Sequence, residues 1–499
     1  YLKNTRIMNT EGRLFPYGSI VSKGRKRMRK TKIICTLGPA SESEETIKEL
    51  MLAGMNCARF NFSHGSHEEH KARFDTVIRL RRELGLPVAT LLDTKGPEIR
   101  LRDFENGSVV LEEGQHFTLT TDENVVGNQD RVSVTFKEMT NDVIPGSTIL
   151  IDDGLVALSV ESIEGSEIHC VVMNGGKISN KKGVNIPNID VSMPFISEKD
   201  RSDIIFGCEL GFEYLAASFT RTAQDILDIR EILDAHNSKM KVIAKIESMQ
   251  GVKNIDSILD VVDGIMVARG DLGVEVPLED VPVIQKMIIK KCIKRGKIVV
   301  TATQMLDSMI HNPRPTRAEA TDVANAVYQG TTAIMLSGET AAGKYPVQTV
   351  RTMARIASRT EEDVNYVDQM KERVAVSHTS QTRAISHAAT TLADDIDAKA
   401  LIVVTMSGYS GRRISSYHPR RPIIACAVHE SVACQMNLLF GVQPLMIPQQ
   451  DKADMLFTSA ISAAKKAGYV DSGDSVVLVA GVPLGISGKT NMLRVMDVE

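Results

Sequence analysis

Three charged residues follow two neighbouring apolar segments of this chain. Lys245 and Glu247 end the segment that begins at Val242, and Asp271 comes shortly after Gly264–Ala268. A lysine in an apolar setting needs a counter-charge, and two acids without bases of their own suit a divalent cation. A buried salt bridge is the alternative interpretation. We favour a site, because charges at the carboxyl ends of barrel strands are typically active-site residues.

A second group of polar residues follows two apolar segments nearer the N-terminus. Arg59 offers a rigid guanidinium fork that suits phosphate. Asn61 and Ser63 supply neutral oxygens, and Asp93 and Thr94 follow the next apolar segment. These oxygens suit a monovalent cation, although asparagine and serine at such positions are also typical of simple turns.

Hydroxyl groups and backbone N–H groups complete the pattern. Thr301–Met305 and Met335–Thr340 place hydroxyls after two later apolar segments, and Ala268–Asp271 offers backbone donors to an anion. Anion donors, a lysine and two metal-binding acids together suit phosphoryl transfer.

Three other motifs predict less. His64, His67 and His70 have a spacing of three, but the acidic residues between them favour an exposed helix start over a metal site. Gly338–Lys344 copies a nucleotide-binding P-loop up to its lysine and then continues with a tyrosine, which cannot replace the magnesium-binding hydroxyl residue. Gly485–Thr490 has only the end of that motif.

Apolar segments alternate with helical patterns along most of the chain. Three strands precede an insertion and five follow it, at residues 32–36, 56–60, 88–92, 214–217, 242–246, 264–268, 298–302 and 332–336. Eight such units predict an α/β fold of the closed (β/α)8, or TIM, barrel type. A helix over 251–262 is expected between the strands that precede Glu247 and Asp271.

Two further sequence patterns define the remaining domains. Short alternating segments broken by glycine predict a small all-β barrel inserted into the larger barrel, and the last part of the chain predicts another α/β domain. Four units are expected: an N-terminal leader or tail (1–29), a catalytic barrel in two parts (30–95 and 197–360), an inserted β-barrel lid (96–196) and a C-terminal effector-binding domain (361–499).

Composition limits the class of protein. The net charge of −3 over 499 residues gives no overall reason to expect a nucleic-acid or membrane partner. Seven dispersed cysteines without Cys-x-x-Cys spacing argue against disulfides and structural zinc, so we expect a cytoplasmic protein. The basic segment Lys23–Lys32 suits an RNA or a phosphorylated surface, and we favour the alternative of a solvated tail.

Seven motifs together resemble the pyruvate kinase family. They are Asn61–Gly65, Leu92–Arg100, Lys245–Glu247, Met266–Gly273, Ala302–Met305, Asn312–Arg317 and Met335–Ala341, and the resemblance extends over residues 30–499. It implies an enzyme that converts phosphoenolpyruvate and ADP to pyruvate and ATP in glycolysis, with Mg²⁺ (or Mn²⁺) and K⁺ as cofactors. It also implies a homotetramer that a sugar phosphate or nucleotide regulates through the C-terminal domain.

The resemblance also implies roles for the residues at the strand ends. Lys245 would stabilise the phosphoryl group during transfer, Arg59 would clamp phosphate, and Glu247 and Asp271 would hold magnesium. The implied substrate-binding set is Arg59, Lys245, Ala268, Arg269, Gly270, Asp271 and Thr303. The two residues implied in protonating the enolate are Thr303 and Ser337.

Three binding sites follow from the same resemblance. The implied potassium ligands are Asn61, Ser63, Asp93 and Thr94, and Glu98 is the residue that accompanies potassium dependence. The implied nucleotide-binding residues are Pro39, Asn61, His64, Arg100 and Lys182. The implied effector loop contains Thr405, Ser407, Gly408, Tyr409 and Ser410.

Two other functions stay open at this point. A magnesium-dependent lyase or aldolase acting on phosphoenolpyruvate or pyruvate also uses acids at strand ends, and an ATP-forming assay separates it from a kinase. A non-catalytic metabolite sensor would use the basic segment and the C-terminal domain. The complete set of Lys245, Glu247, Asp271 and Thr303 favours an enzyme.

Overall fold

The described part of the chain folds into the three predicted units. The computed structural model describes residues 28–374, 380–450, 452–483 and 489–499. Most of the predicted leader and most of the Gly485–Thr490 motif therefore lie outside the described residues. The units are a closed (β/α)8 barrel, an inserted β-sheet and a C-terminal α/β domain.

The first part of the barrel consists of three strands and two helices. They are β1 (Lys32–Leu37), α1 (Glu44–Ala53), β2 (Cys57–Asn61), α2 (His67–Leu84) and β3 (Ala89–Asp93), with a 3-10 turn at Pro39–Ser41. Ser43 and Ser66 cap the two helices, since each hydroxyl accepts a hydrogen bond from the backbone N–H three residues on. These caps fix the loops that follow β1 and β2.

The insertion closes into the small barrel that the sequence predicts. Its elements are β4 (Ile99–Arg100), β5 (Ser108–Leu111), β6 (His116–Thr120), β7 (Arg131–Ser133), α3 (Met139–Asp142), β8 (Thr148–Ile151), β9 (Val156–Glu164), β10 (Glu167–Asn174), β11 (Gly176–Ser179) and β12 (Gly183–Asn185). Seven strands pair in the order β4-β12-β8-β9-β10-β6-β7, and β5 pairs with β11. An antiparallel bridge between Leu101 and Val134 joins the two edges.

The second part of the barrel supplies five more strands. Its elements are α4 (Glu198–Leu210), β13 (Tyr214–Ala217), α5 (Ala223–Ala235), β14 (Lys241–Ile246), α6 (Met249–Lys253), α7 (Ile255–Val261), β15 (Gly264–Ala268), α8 (Arg269–Glu275), α9 (Val281–Arg295), β16 (Ile298–Ala302), α10 (Arg317–Gln329), β17 (Ala333–Leu336), α11 (Gly338–Ala341) and α12 (Pro346–Glu361). The single helix predicted over 251–262 is wrong. α6 and α7 meet at Asn254, whose side-chain amide donates to the Arg221 carbonyl at 3.0 Å.

The eight predicted barrel strands are confirmed. They are parallel and close in the order β1-β2-β3-β13-β14-β15-β16-β17. Alternate residues of each strand point outwards to the helices or inwards, so that Ile33 belongs to the outer core while Ile34, Leu91 and Ile243 belong to the inner one. All eight carboxyl ends therefore open at one mouth, to which α8, a helix the sequence did not predict, also contributes.

The C-terminal domain is a five-stranded α/β sheet. Its elements are α13 (Tyr366–Val374), α14 (Gln381–Asp395), β18 (Ala400–Val404), α15 (Tyr409–Ser415), β19 (Ile423–Ala427), α16 (Glu430–Met436), β20 (Val442–Met446), α17 (Ala453–Lys466), β21 (Ser475–Ala480) and β22 (Met492–Asp497). The order is β20-β19-β18-β21-β22, and β22 is an antiparallel edge strand that the sequence did not predict. The domain packs on the amino end of the barrel, where Tyr214 Oη donates to the Gln435 carbonyl at 2.5 Å.

Several expectations about the whole chain can be compared with these elements. The seven cysteines are free thiols, so the expectation of no disulfide framework is confirmed. No helix among the described residues combines the length and apolarity needed to cross a membrane. The exact domain boundaries stay predictions, and α12 crosses the one at residues 360 and 361 by one residue.

Candidate active site

Neighbouring strands bring the predicted residues together at the barrel mouth. Asn61 ends β2 and lies in register with Asp93 at the end of β3. Lys245 lies near the end of β14, and Asp271 lies in the first turn of α8 after β15. Because the strands are short and parallel, residues from distant parts of the chain converge there.

Lys245 is the centre of the polar cluster. Its ammonium nitrogen lies 2.9 Å from Glu247 Oε1 and 3.2 Å from Asp93 Oδ1, and it donates to Ser218 Oγ at 2.7 Å. Lys245 is only 8% exposed. Burial lowers the pKa of this lysine, but the two carboxylates outweigh burial and keep the pKa above its usual value. A fixed positive charge therefore faces the mouth.

Arg59 is held beside that lysine by buried partners. Its Nε donates to Asp93 Oδ2 at 2.5 Å, and its Nη1 donates to Thr36 Oγ1 at 2.9 Å. Burial opposes ionisation of Asp93, but Arg59 and Lys245 together hold the pKa of this carboxyl below its usual value. The guanidinium is thus fixed in one orientation, as phosphate binding requires.

Glu247 has an unusual environment for a buried carboxylate. Its Oε2 accepts from the Phe219 backbone N–H at 2.5 Å, while among the described residues its Oε1 accepts no well-oriented hydrogen bond. Burial, reinforced by the charge of Asp271 and opposed by Lys245, raises the pKa of Glu247 to about 8. A bound divalent cation would stabilise the charged Glu247 carboxylate against both its burial and the nearby charge of Asp271. The residues present therefore fit Mg²⁺ or Mn²⁺.

The metal-binding set is small, as magnesium sites often are. The described residues contain no group of three or more His, Cys, Asp or Glu side chains arranged around one point. Two carboxylates nevertheless suit Mg²⁺, because this ion usually keeps water and substrate oxygens as its other ligands.

The predicted potassium ligands form a set of oxygens beside Lys245. Among the described residues, Asn61 Oδ1 accepts a hydrogen bond from the Ser63 backbone N–H alone, at 3.2 Å, and so keeps a second lone pair for a cation. Thr94 Oγ1 accepts from the Ser218 N–H at 3.1 Å, and Asp93 is completely buried. Amide, hydroxyl and carboxylate oxygens suit a hard monovalent cation.

Thr303 and Gly270 join the loops after β15 and β16. Thr303 Oγ1 accepts from the Gly270 N–H at 2.8 Å and donates to the Ala302 carbonyl at 2.6 Å. Thr303 has a φ of 64°, which is strained for a β-branched residue and is typical of functional sites. Arg269 donates from Nη2 to the Thr303 carbonyl at 2.7 Å, so α8 and this loop form one unit.

Ser337 is positioned by a buried acid that sequence reasoning did not select. The Ser337 N–H donates to Glu339 Oε2 at 2.7 Å, and the Leu306 N–H donates to Glu339 Oε1 at 3.1 Å. Glu339 thereby connects the loops that carry Thr303 and Ser337. The motif Met335–Thr340 contains it, but only its hydroxyl residues were considered.

The predicted nucleotide residues lie on two parts of the molecule, the loops of the barrel mouth (Pro39, Asn61 and His64) and the insertion (Arg100 and Lys182). His64 and Arg100 line the same cleft of about 530 Å³. Lys182 pairs with Asp152 Oδ1 at 2.8 Å. Arg100 Nη2 lies 2.6 Å from Glu98 Oε1, so the charge of Glu98 has a local counter-charge. Pro39 is exposed in the turn after β1.

The three histidines do not form a metal site. His67 Nε2 lies 2.7 Å from Asp203 Oδ1, and the ring stacks on Phe206. His70 is buried and bonds to the His64 carbonyl at 2.8 Å. The helix start is confirmed, since α2 begins at His67, but the predicted exposure is wrong for His70 because its ring packs inside the fold.

The predicted effector loop is a turn before α15. The Gly408 N–H donates to Thr405 Oγ1 at 3.1 Å, and Ser410 Oγ lies 2.6 Å from Thr490 Oγ1. Gly408 has a φ of 77°, and Tyr409 is the first residue of the helix. Ser407 lies within the turn.

Two residues beside Lys245 could not be identified from any sequence motif. Ser218 and Phe219 follow β13, and both contact the site, through the Ser218 hydroxyl and the Phe219 backbone N–H. Their one available signal is position, since they follow a buried strand at the carboxyl edge. Thr36, the partner of Arg59, also lies at this edge, near the carboxyl end of β1.

The fold and the mouth define a barrel enzyme that handles anionic substrates with cations. Residues 28–350 match the family description "Pyruvate kinase, barrel domain", and residues 383–496 match "Pyruvate kinase, alpha/beta domain". The pyruvate kinase of Clostridium acetobutylicum is 49% identical over 473 residues, which are 95% of this chain and 100% of that relative.

Two further relatives agree. The pyruvate kinases of Geobacillus stearothermophilus and Bacillus licheniformis are each 50% identical, over 470 and 474 residues, which are 94% of this chain and 80% and 81% of those relatives. The chain belongs to the pyruvate kinase family, whose members transfer the phosphoryl group of phosphoenolpyruvate to ADP. This membership decides against the lyase and the metabolite sensor and confirms the resemblance.

Proposed function

We propose that Lys245, Arg59, Glu247 and Asp271 carry out the phosphoryl transfer at the barrel mouth. The observation that carries this proposal is the buried ammonium of Lys245 between Asp93 and Glu247. In the reaction the bond from phosphorus to the enol oxygen breaks while a β-phosphate oxygen of ADP bonds to phosphorus. Lys245 and Arg59 would stabilise the negative charge of that phosphoryl group.

The remaining roles concern protons and cations. Thr303 and Ser337 lie on loops joined through Glu339, and we assign them to protonation of the enolate at its methylene carbon through water. Mg²⁺ on Glu247 and Asp271 would supply positive charge to the substrate carboxylate and phosphate. K⁺ would be bound by oxygens of Asn61, Ser63, Asp93 and Thr94.

Substrate, nucleotide and effector contacts complete the proposal. The remaining substrate contacts are Ala268, Arg269 and Gly270, and the nucleotide contacts are Pro39, Asn61, His64, Arg100 and Lys182. A sugar phosphate or nucleotide would bind at the loop of Thr405, Ser407, Gly408, Tyr409 and Ser410. We further propose a cytoplasmic homotetramer with the domain boundaries given above.

A coupled pyruvate assay tests the proposal. Activity is measured with phosphoenolpyruvate, ADP and Mg²⁺, first in K⁺ and then in tetramethylammonium at constant ionic strength, since ionic strength alone acts through screening. We expect activity to fall at least about tenfold without K⁺, because the buried oxygens then lack their counter-charge. Full activity in tetramethylammonium would refute the cation site and leave the phosphoryl-transfer roles standing.

A further inference from the structure

Ser218 lies at a junction of the candidate site. It directly follows β13, is 1% exposed, and donates its backbone N–H to Thr94 Oγ1 at 3.1 Å. Its hydroxyl oxygen accepts from Lys245 Nζ at 2.7 Å. One small side chain therefore touches both the proposed phosphoryl-stabilising lysine and the proposed cation ligands.

The hydroxyl proton has two possible acceptors, and both belong to the cation ligands. Ser218 Oγ lies 2.6 Å from the Thr94 carbonyl oxygen and 3.0 Å from Asp93 Oδ1. A hydroxyl group has a single proton, so it donates to one of these while accepting from Lys245. The direction of the network is thus fixed from the ammonium towards the cation ligands.

Among the described residues, Ser218 supplies the one neutral side-chain acceptor of the Lys245 ammonium. The other two neighbours are carboxylates, at 2.9 Å for Glu247 and 3.2 Å for Asp93. With these two carboxylates alone, no neutral hydrogen-bond acceptor would define the position of the ammonium between the two negative charges. A short hydrogen bond to a buried hydroxyl defines that place.

We propose that Ser218 is a positioning residue that fixes Lys245 for phosphoryl transfer and couples its position to the cation ligands Asp93 and Thr94. The inference rests on the roles proposed above for Lys245 and for the cation site. The alternative is that Ser218 only fills space and satisfies the Thr94 carbonyl, in which case its loss would affect stability and not turnover.

A second buried hydroxyl in the same loop provides a matched control. Thr220 is completely buried, and its Oγ1 donates to the Ala217 carbonyl at 2.9 Å. Thr220→Val removes this hydroxyl at nearly constant volume and keeps the Thr220 backbone N–H, which donates to the Lys245 carbonyl at 3.2 Å. The test variants are Ser218→Ala, which removes the hydroxyl, and Ser218→Cys, which keeps a similar shape with a much weaker hydrogen-bonding group.

Two measurements distinguish positioning from packing. We expect Ser218→Ala to lower kcat about tenfold or more, because a hydrogen bond to a charged group is lost, while the KM for phosphoenolpyruvate changes less than about threefold. The second measurement needs no turnover. Tm is measured while K⁺ replaces tetramethylammonium at constant ionic strength, and the K⁺ concentration that gives half of the rise in Tm is determined. This concentration should increase in Ser218→Ala and stay unchanged in Thr220→Val.

The proposal fails if kcat of Ser218→Ala stays within about twofold of the parent, or if Thr220→Val loses as much kcat. Should the alanine variant not fold, Ser218→Cys decides: a folded cysteine variant with parental kcat overturns the proposal, and a reduced kcat supports it. A parent protein whose Tm ignores K⁺ would refute the coupling to the cation ligands, while the kcat comparison would still decide whether Ser218 positions Lys245.

Discussion

The two ends of the barrel both bury charged residues and balance them in opposite ways. At the carboxyl end, within the described part of the chain, the acids Asp93, Glu247 and Asp271 interact with two bases, Arg59 and Lys245. Glu247 Oε1 has no well-oriented donor among the described residues. This end has an excess of negative charge that a bound cation would neutralise.

At the amino end, bases exceed acids and the carboxylates have their donors. Asp263, just before β15, accepts from Arg412 at 3.0 Å, from Arg230 at 3.1 Å and from the Val242 N–H at 3.1 Å, and Lys241 Nζ lies 4.0 Å away. Burial opposes ionisation of Asp263, but these bases hold its pKa below the usual value. Arg412 belongs to α15, so the pair also attaches the C-terminal domain.

Lys32 shows how the amino end accommodates a base without an acid partner. It is 1% exposed, and its ammonium donates to the Val442 carbonyl of the C-terminal domain at 2.6 Å. The interpretation of Lys23–Lys32 as a solvated tail is therefore wrong for its last residues, because Thr31 and Lys32 are buried and Arg29 donates to the Gly54 carbonyl at 2.6 Å. Residues 23–27 lie outside the described part of the chain. Buried charge alone does not mark a site, whereas buried acids in excess of their donors do.

Among the variants at the two ends of the barrel, Lys245→Met at the carboxyl end should have the largest effect on turnover. We expect turnover to fall at least about 10²-fold, the low end for loss of one electrostatic stabiliser, because the ammonium is needed where phosphate charge moves. The coupled pyruvate assay measures this loss. Far-UV circular dichroism and exchange of the pyruvate methyl protons should show a folded protein that retains much of its proton chemistry.

Turnover of Lys245→Met within about tenfold of the parent would remove Lys245 from the catalytic set. It would also mean that its three polar contacts are structural, like those of Asp263.

Glu247→Gln and Asp271→Asn should follow in size. Each removes one anionic oxygen from a hard cation, so we expect a higher Mg²⁺ requirement and a roughly tenfold slower reaction at limiting Mg²⁺. Mg²⁺ titrations of the coupled assay check both variants against Glu275→Gln, a partly buried acid of α8 that pairs with Asn185. If both test variants keep the parental Mg²⁺ response, the metal binds elsewhere.

Much of this comparison could be predicted from the sequence, but only at one end of the barrel. Lys245, Glu247 and Asp271 follow strands with strong apolar patterns, so their edge of the barrel was predictable. The pairing of Asp263 with Arg412 joins residues 149 positions apart, and no local pattern contains it. Ser218 was missed for a different reason, since a lone serine after a strand is also typical of a turn.

Asp263→Asn should affect stability and not turnover. Removing one partner of a buried ion pair leaves its bases uncompensated, and because Arg230 and Arg412 are partly exposed we expect a loss of about 2 kcal/mol in the free energy of unfolding. Denaturant unfolding measures it, with Asp260→Asn on α7, an exposed acid, as the control. If the amino end is structural, Asp263→Asn keeps the parental kcat despite this loss of stability. A tenfold loss of kcat would contradict the division into a structural amino end and a catalytic carboxyl end.

Lys32→Met should give the smallest effect, and it depends on pH. Burial, reinforced by Arg29 and opposed by Glu361, lowers the pKa of Lys32 to about 7, whereas the unfolded chain keeps the ordinary value. Below pH 7 both states bind the proton and the cost of burying the charge is complete. Above it the unfolded chain binds more protons, so the stability of the parent rises with pH.

The methionine variant lacks this titration. We therefore expect the unfolding free energy of the parent, relative to Lys32→Met, to rise by about 1.4 kcal/mol from pH 6 to pH 8. Denaturant unfolding at several pH values measures the difference, and Lys48→Met, at an exposed position of α1, should show a constant offset over the same range. A constant offset for Lys32→Met as well would mean that the carbonyl of Val442 keeps Lys32 charged throughout, so that the amino end accommodates an unpaired buried charge through hydrogen bonding alone.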